Sequence, residues 1–260
     1  MRDWFRHQDD DAYRQWAVFG PDTENADAHA GAVAFTDARL LLFPVRAMTG
    51  VFAWTTCPTI LHRFRRDLES AGHSAGWTVP DEADDPLDEV TVLGTETSAN
   101  VANNQVLLED SAFAFRSHDA VTDLARWLIE HALPETDAYD YWRKSVHARL
   151  LVLPDKAFRH FVRHVTEVQA RVKLNEKGTT GEDGNLFYQE NLPSDTLLCA
   201  LALAQDDLSG QLEDGGADTL LDYVRRLDGQ RLQIGGDASV GRGLTRVHFP
   251  DAPTQSSPSS

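Results

Sequence analysis

Hydrophobic positions along this chain follow two rhythms. Behind Pro58, Leu61, Phe64 and Leu68 recur at helical spacing with Arg63, Arg65 and Arg66 on the other side, so a helix opens there. Residues 166–174 alternate instead: Val168, Ala170, Val172 and Leu174 share one face, and Glu167, Gln169, Arg171 and Lys173 the other, the mark of a half-buried strand. The apolar run over 31–43 predicts one long strand, followed after Pro44-Val45-Arg46 by a second over 50–57. Further strands are expected at 106–115, 150–153, 185–190, 196–204, 231–234 and 244–249. Helices are expected within 1–30, ahead of a Gly20-Pro21 turn, and at 121–131, 139–147, 155–164 and 218–227. No heptad or repeat is present, and strands and helices mix in an irregular order, which favours an α+β fold over a doubly wound sheet.

Two stretches lack either rhythm. Residues 72–105 read as a long insertion loop, because the run DEADDPLDE at 81–89 places six acids in nine positions with nothing in the sequence to neutralise them. Residues 250–260, PDAPTQSSPSS, read as a disordered tail behind a single domain over 1–249. With 260 residues the chain can bury a core that needs neither disulfides nor metal. Its two cysteines, Cys57 and Cys199, lie far apart and read as small core residues. No apolar run suits a membrane helix or a signal peptide, so a cytoplasmic protein without membrane partners is expected.

Charge changes this picture twice. The net charge of -17 is built from 28 Asp against 13 Glu and from 20 Arg against only 4 Lys. Such an Asp-rich, Lys-poor surface suits a halophile, since carboxylates hold water where salt screens long-range repulsion. Against that background residues 141–175 invert the sign. Arg143, Lys144, Arg149, Lys156, Arg159, Arg163, Arg171 and Lys173, eight cations, face two acids, Asp155 and Glu167. Charge runs are often only solvated faces, yet three of the four lysines fall inside this window, and a polyanion-binding surface is expected there.

Candidate chemistry is sparse elsewhere. In the glycine-rich loop GGDASVGRG at 235–243, Gly236-x4-Gly241-Arg242 has the spacing of a mononucleotide-binding loop. Arg stands where Lys should be, Gly243 replaces the Ser or Thr that would hold magnesium, and a strand follows in place of a helix. A tight turn between strands is one alternative. Another is a backbone cradle for polynucleotide phosphates, with Arg242 and Arg246 supplying charge. His160 and His164, one helical turn apart with Glu167 beyond, have a zinc-compatible spacing, but HFVRH lacks the glutamate of an HExxH base. No nucleophile elbow or Cys/His pair is visible.

Taken jointly, FPVR-x3-GVFAW at 43–54, the Arg171 hairpin followed by LPSDT at 192–196, and IGG-x4-GRG at 234–243 resemble the backbone subunit of the type III-B CRISPR RNA-targeting (Cmr) complex, a member of the RAMP superfamily. The resemblance implies a ferredoxin-like (RNA-recognition-motif-like) core with a thumb β-hairpin over 166–193. It also implies a filament of copies on a CRISPR guide RNA, antiviral cleavage of target RNA with magnesium or manganese, and contacts with other Cmr subunits. Arg171 and Lys173 would then belong to the thumb that wedges between bases. Gly235, Gly236, Gly241, Arg242 and Gly243, with Arg246 beyond them, would contact the guide backbone. Family members begin with a strand and a loop carrying the aspartate that cleaves target RNA, for which this chain shows no counterpart. The strand often written WYEEY reads Phe187-Tyr188-Gln189-Glu190-Asn191, which leaves Glu190 as an accessory candidate. A purely structural guide-RNA binder and, from another class, a nucleotide-binding enzyme built on the Gly235 loop stand as alternatives.

Overall fold

A computed structural model describes residues 1–8, 11–22, 24, 28–80, 87–172 and 186–250. Helices α1 (Arg2–Gln8) and α2 (Ala12–Phe19) open the chain, where one short helix was expected. Asp11 separates them, its carboxylate capping α2 by accepting from the Arg14 amide at 2.9 Å. Then come β1 (Val33–Phe35), β2 (Arg39–Ala47), β3 (Val51–Thr56), α3 (Pro58–Ser70), β4 (Thr91–Gly94), β5 (Val101–Ala102), β6 (Gln105–Leu108) and β7 (Ser111–Ser117). They are followed by α4 (Asp119–His131), α5 (Asp140–Arg149), β8 (Leu150–Val152), α6 (Asp155–His164), β9 (Glu167–Val172) and β10 (Leu186–Asn191). Strands β11 (Leu197–Cys199) and β12 (Ala202–Ala204), helix α7 (Ala217–Arg225), and strands β13 (Arg231–Gln233) and β14 (Leu244–Arg246) complete the order.

Three apolar runs expected as single strands are each divided. Residues 31–43 form β1 and the start of β2, with a break at Thr36, whose amide donates to the Leu201 carbonyl and whose hydroxyl accepts from the Leu201 amide, both at 2.9 Å. A side chain that bonds backbone in this way competes with the ladder. Residues 196–204 divide likewise into β11 and β12. Residues 106–115 are a hairpin, β6 and β7, turned at Glu109 with φ +51°. The span 72–105 is also more than a loop: Trp77 and Val79 are buried, and β4 carries the fully buried Val92 and Leu93.

The chain divides into two compact units. The first takes Met1–Ala38, Glu130–Tyr139 and Ala200–Ser260. In it β1 pairs antiparallel with β12 and β13 with β14, and Phe5, Val18, Val33, Leu220, Tyr223 and Val224 form the core. Phe5 stacks on Tyr223 with ring centroids 4.6 Å apart, tying α1 to α7.

The second unit takes Arg39–Ile129 and Asp140–Cys199 and holds an eight-stranded mixed sheet in the order β11-β2-β3-β8-β4-β7-β6-β5. An extra pairing, Ala47 on β2 with Leu108 on β6, closes six of these strands into a small barrel. Backbone bonds from Met48 to Leu107 (3.1 Å) and from Glu109 to Arg46 (3.0 Å) fasten the seam. The pairs β3–β8 and β4–β7 are parallel, and the rest are antiparallel. Phe43, Val45, Val92, Leu108, Leu151, Phe158 and Phe161 fill the core, the last two from α6. Strands β9 and β10 pair only with each other, as a two-stranded ribbon.

Candidate nucleic-acid interface

Helix α6 is built with two faces. Phe158 and Phe161 enter the core, while Lys156, Arg159, His160, Arg163 and His164 are exposed on the other side, the i, i+3, i+4, i+7 stripe of an amphipathic helix. Its first residue serves a second helix. The Asp155 carboxylate accepts from the Thr59 amide at 3.1 Å and from the Thr59 hydroxyl, supplying the cap that Cys57, at the N-cap of α3, does not. Burial raises the Asp155 carboxyl, but the Thr59 hydroxyl, the Cys57 thiol and the Thr59 amide outweigh it and hold the group below its ordinary value. Burial first, then the bond to Asp155, pushes the Cys57 thiol far up.

Along the expected basic window the cations do different things. Lys156 pairs with Glu89 at 2.8 Å, both side chains well exposed, an arrangement worth little in water. Lys144, Arg159 and Arg163 have no ion-pair partner among the described residues. Arg149 is held over the rings of Phe52 and Tyr141, at 5.2 and 5.9 Å from the centroids. Arg171 lies on β9 opposite Phe187 of β10. Lys173 falls outside the described residues. The alternation expected over 166–174 is present in β9, but Val168 and Val172 are exposed, as are Leu186 and Tyr188 beside them on β10. Glu190 is also exposed and accepts from the Thr166 hydroxyl at 2.8 Å.

At the foot of this ribbon lies a cleft of about 460 Å³, walled by Pro44, Arg46, Phe52, Glu109, His164, Thr166, Glu167 and Asp195. Arg46 and Glu109 neutralise each other across two contacts of 3.0 and 2.5 Å. Asp195, from the LPSDT turn, has φ +65°, and its carbonyl accepts from the Trp54 indole at 2.9 Å. Burial raises the Asp195 carboxyl above its ordinary value. His160 and His164 stand with ring centroids 4.8 Å apart. Among the described residues no group of three or more His, Cys, Asp or Glu side chains could hold a metal ion. The magnesium or manganese that the resemblance implies therefore finds no fitting donor set among the described residues.

The glycine-rich loop belongs to the first unit, where it turns β13 into β14. The Ile234 amide donates to the Gly243 carbonyl at 2.8 Å, and Gly235, Asp237, Gly241 and Gly243 all have φ between +61° and +88°. A Cβ on Gly243 would lie 2.2 Å from the Ile234 carbonyl oxygen, so only glycine fits. Among the described residues no helix of the length that opens a mononucleotide site follows; a short 3-10 turn, Ala238–Val240, lies inside the loop. Register puts Arg231 directly across from Arg246, which lies over the Tyr139 ring at 5.1 Å. Two cations facing each other destabilise a hairpin unless an anion sits against them. Arg231 was not singled out from sequence, because its partner emerges only with the hairpin register. The aromatic surroundings of Arg149 were missed because Phe52 comes from β3, far away in sequence.

The RAMP superfamily model matches residues 1–246. This chain is therefore a member of the RAMP superfamily, as the blocks at 43–54, 192–196 and 234–243 had suggested. The CRISPR system Cmr endoribonuclease Cmr4 of Pyrococcus furiosus is 34% identical over 234 residues, 88% of this chain and 73% of its own length. The crystal structure of oligomeric Cmr4 from the same organism is 27% identical, with a TM-score of 0.70, over 96% of this chain and 82% of that one. Within the superfamily the chain belongs with the Cmr4 proteins. A type III-B Cmr-beta complex bound to cognate target RNA contains a chain of the same fold, 14% identical with a TM-score of 0.65 over 95% of this chain and 80% of its own. No helix among the described residues is long and apolar enough to cross a membrane.

Proposed function

We propose that this chain is the backbone subunit of a type III-B Cmr complex, holding CRISPR guide RNA in a filament of its own copies, beside other Cmr subunits, and presenting target RNA in antiviral defence. One observation carries the reading: within a chain of net charge -17, a dense run of cations, eight against two acids, spans 141–175, and the seven of them among the described residues stand on α5, α6 and β9. Phosphate attracts such a strip without reading sequence.

The connectivity supports the finer fold reading. Strands β2-β3-β8-β4 are adjacent in that order, β3 and β8 run parallel, their outer neighbours run antiparallel, and helices α3 and α6 follow β3 and β8. This is a ferredoxin-like arrangement in which β2 takes the fourth place. The ribbon within 166–193 is the thumb, carrying Arg171 and Lys173 between bases. Gly235, Gly236, Gly241, Arg242, Gly243 and Arg246, joined by Arg231, hold guide phosphates. Glu190 accepts from the Thr166 hydroxyl and stands as the accessory candidate where target RNA is positioned for cleavage, with a purely structural guide-RNA binder as the alternative. The Asp-rich, Lys-poor surface fits the high-salt cytoplasm of a halophile.

Filter-binding titrations with two guide RNAs of unrelated sequence test this. Arg171→Glu and Arg242→Glu are each expected to weaken both RNAs alike and to reduce the salt slope of log K by about 1. Unchanged affinity in both variants would sink the reading.

A further inference from the structure

We infer that Phe52 on β3 and Tyr141 and Arg149 on α5 form a stacking platform for one unpaired nucleobase of bound RNA, built from residues other than those of the thumb and the glycine-rich hairpin. The inference rests on the RNA-binding reading above and adds a site to it. Tyr141 is 58% exposed, too open to serve the core, yet its ring is fixed. Its edge meets Trp142 at 5.3 Å, Trp142 meets Trp54 at 6.0 Å, and Trp54 meets Phe52 at 4.8 Å. Trp54 is buried and pinned by its indole bond to the Asp195 carbonyl. Arg149 donates to the Tyr141 hydroxyl at 3.2 Å while lying over the Phe52 and Tyr141 rings. The guanidinium plane is thus already oriented, so little rotamer freedom remains to be lost when a flat ligand lands on it.

The charge around the platform selects the ligand. Helix α5 carries Arg143, Lys144 and Arg149 against Asp140 alone, and Lys144 is exposed without an ion-pair partner among the described residues. A ligand that offers a planar π-face next to an anion satisfies both features, and a nucleotide of single-stranded RNA has that chemistry. Aromatic and arginine side chains also anchor protein partners, so that alternative is made an outcome of the test.

The experiment uses the full chain and single-stranded RNA carrying 5-iodouracil, irradiated and mapped by mass spectrometry, together with salt-dependent binding of Tyr141→Ala, Tyr141→Phe and Arg149→Lys. Adducts on Tyr141 or Phe52 are expected. Tyr141→Ala should weaken binding about fivefold or more, since one base stacked on an aromatic ring contributes that much. Its salt slope should not change, because no phosphate contact is removed. Tyr141→Phe, which keeps the ring but removes the acceptor that orients the guanidinium, should bind between the parent and Tyr141→Ala, and Arg149→Lys should weaken binding although the charge is kept. RNA bound at parental affinity by Tyr141→Ala, with adducts only elsewhere, overturns the platform and leaves RNA binding standing. If that variant keeps RNA affinity but loses self-association, the surface is a protein interface and the proposal is overturned. A parent chain that binds no RNA overturns both readings.

Discussion

Asp155 is a case of one side chain serving two helices: it opens α6 and caps α3 through the Thr59 amide and hydroxyl. Replacing it by Ala leaves the first turn of α3 short of an acceptor, at a cost of about 0.5–2 kcal/mol near neutral pH. The charge makes the cost pH-dependent. Because the folded protein holds this carboxyl below its ordinary value, its contribution is complete above the ordinary carboxylate range and is lost as pH falls through the lowered folded value. Urea unfolding of parent and Asp155→Ala should therefore show a gap near pH 7 that narrows by about pH 3. A gap independent of pH would contradict this account. Sequence marked residue 155 only as an acid in a basic window, since Thr59 lies 96 positions away. The salt bridge of Lys156 with Glu89 was hidden by a similar separation of 67. Of the two cysteines expected in the core, Cys57 is buried, whereas Cys199 is only half-buried; burial first, then Asp67, pushes the Cys199 thiol up to about 11.

Among elements, helices α3, α4, α6 and α7 were readable because each carries its own apolar stripe, a local property. Strand limits were not, since a run of apolar residues carries no mark of where its partner changes. Residues 31–43 and 196–204 each break where Thr36 and Leu201 bond one another. Strand β4 escaped notice beside a run of acids, although Val92 and Leu93 are wholly buried. The turn between β13 and β14 offers a test of element construction. Gly243→Ala meets the Ile234 carbonyl at 2.2 Å and a φ of +68°, whereas a Cβ on Gly236 meets nothing within 4 Å. Thermal melts should show Gly243→Ala destabilised by about 1–3 kcal/mol and Gly236→Ala nearly neutral. Equal effects would mean that the loop is held in some other geometry.

At the scale of the whole molecule the charge of -17 is a stored repulsion that salt relieves. The melting temperature is expected to rise between about 0.1 M and about 1 M KCl, as the screening length falls from roughly 10 Å to roughly 3 Å. A flat or falling melting temperature, followed by circular dichroism, would detach the acidic composition from salt adaptation. RNA affinity should move the other way over the same range, since each phosphate contact releases a counterion.

By itself the sequence determined the mixed α+β character, the positions of the long helices, the cationic window and the glycine-rich turn. All of these are set by the order of neighbouring residues, through periodicity, charge count and the backbone freedom of glycine. Tertiary structure alone decided that six strands close through Ala47 and Leu108, that Arg231 faces Arg246, and that Arg149 lies over Phe52 and Tyr141. Each of these joins residues distant in sequence. Strand pairing selects its partner by register and by the burial of a whole face, quantities that exist only once the sheet has formed.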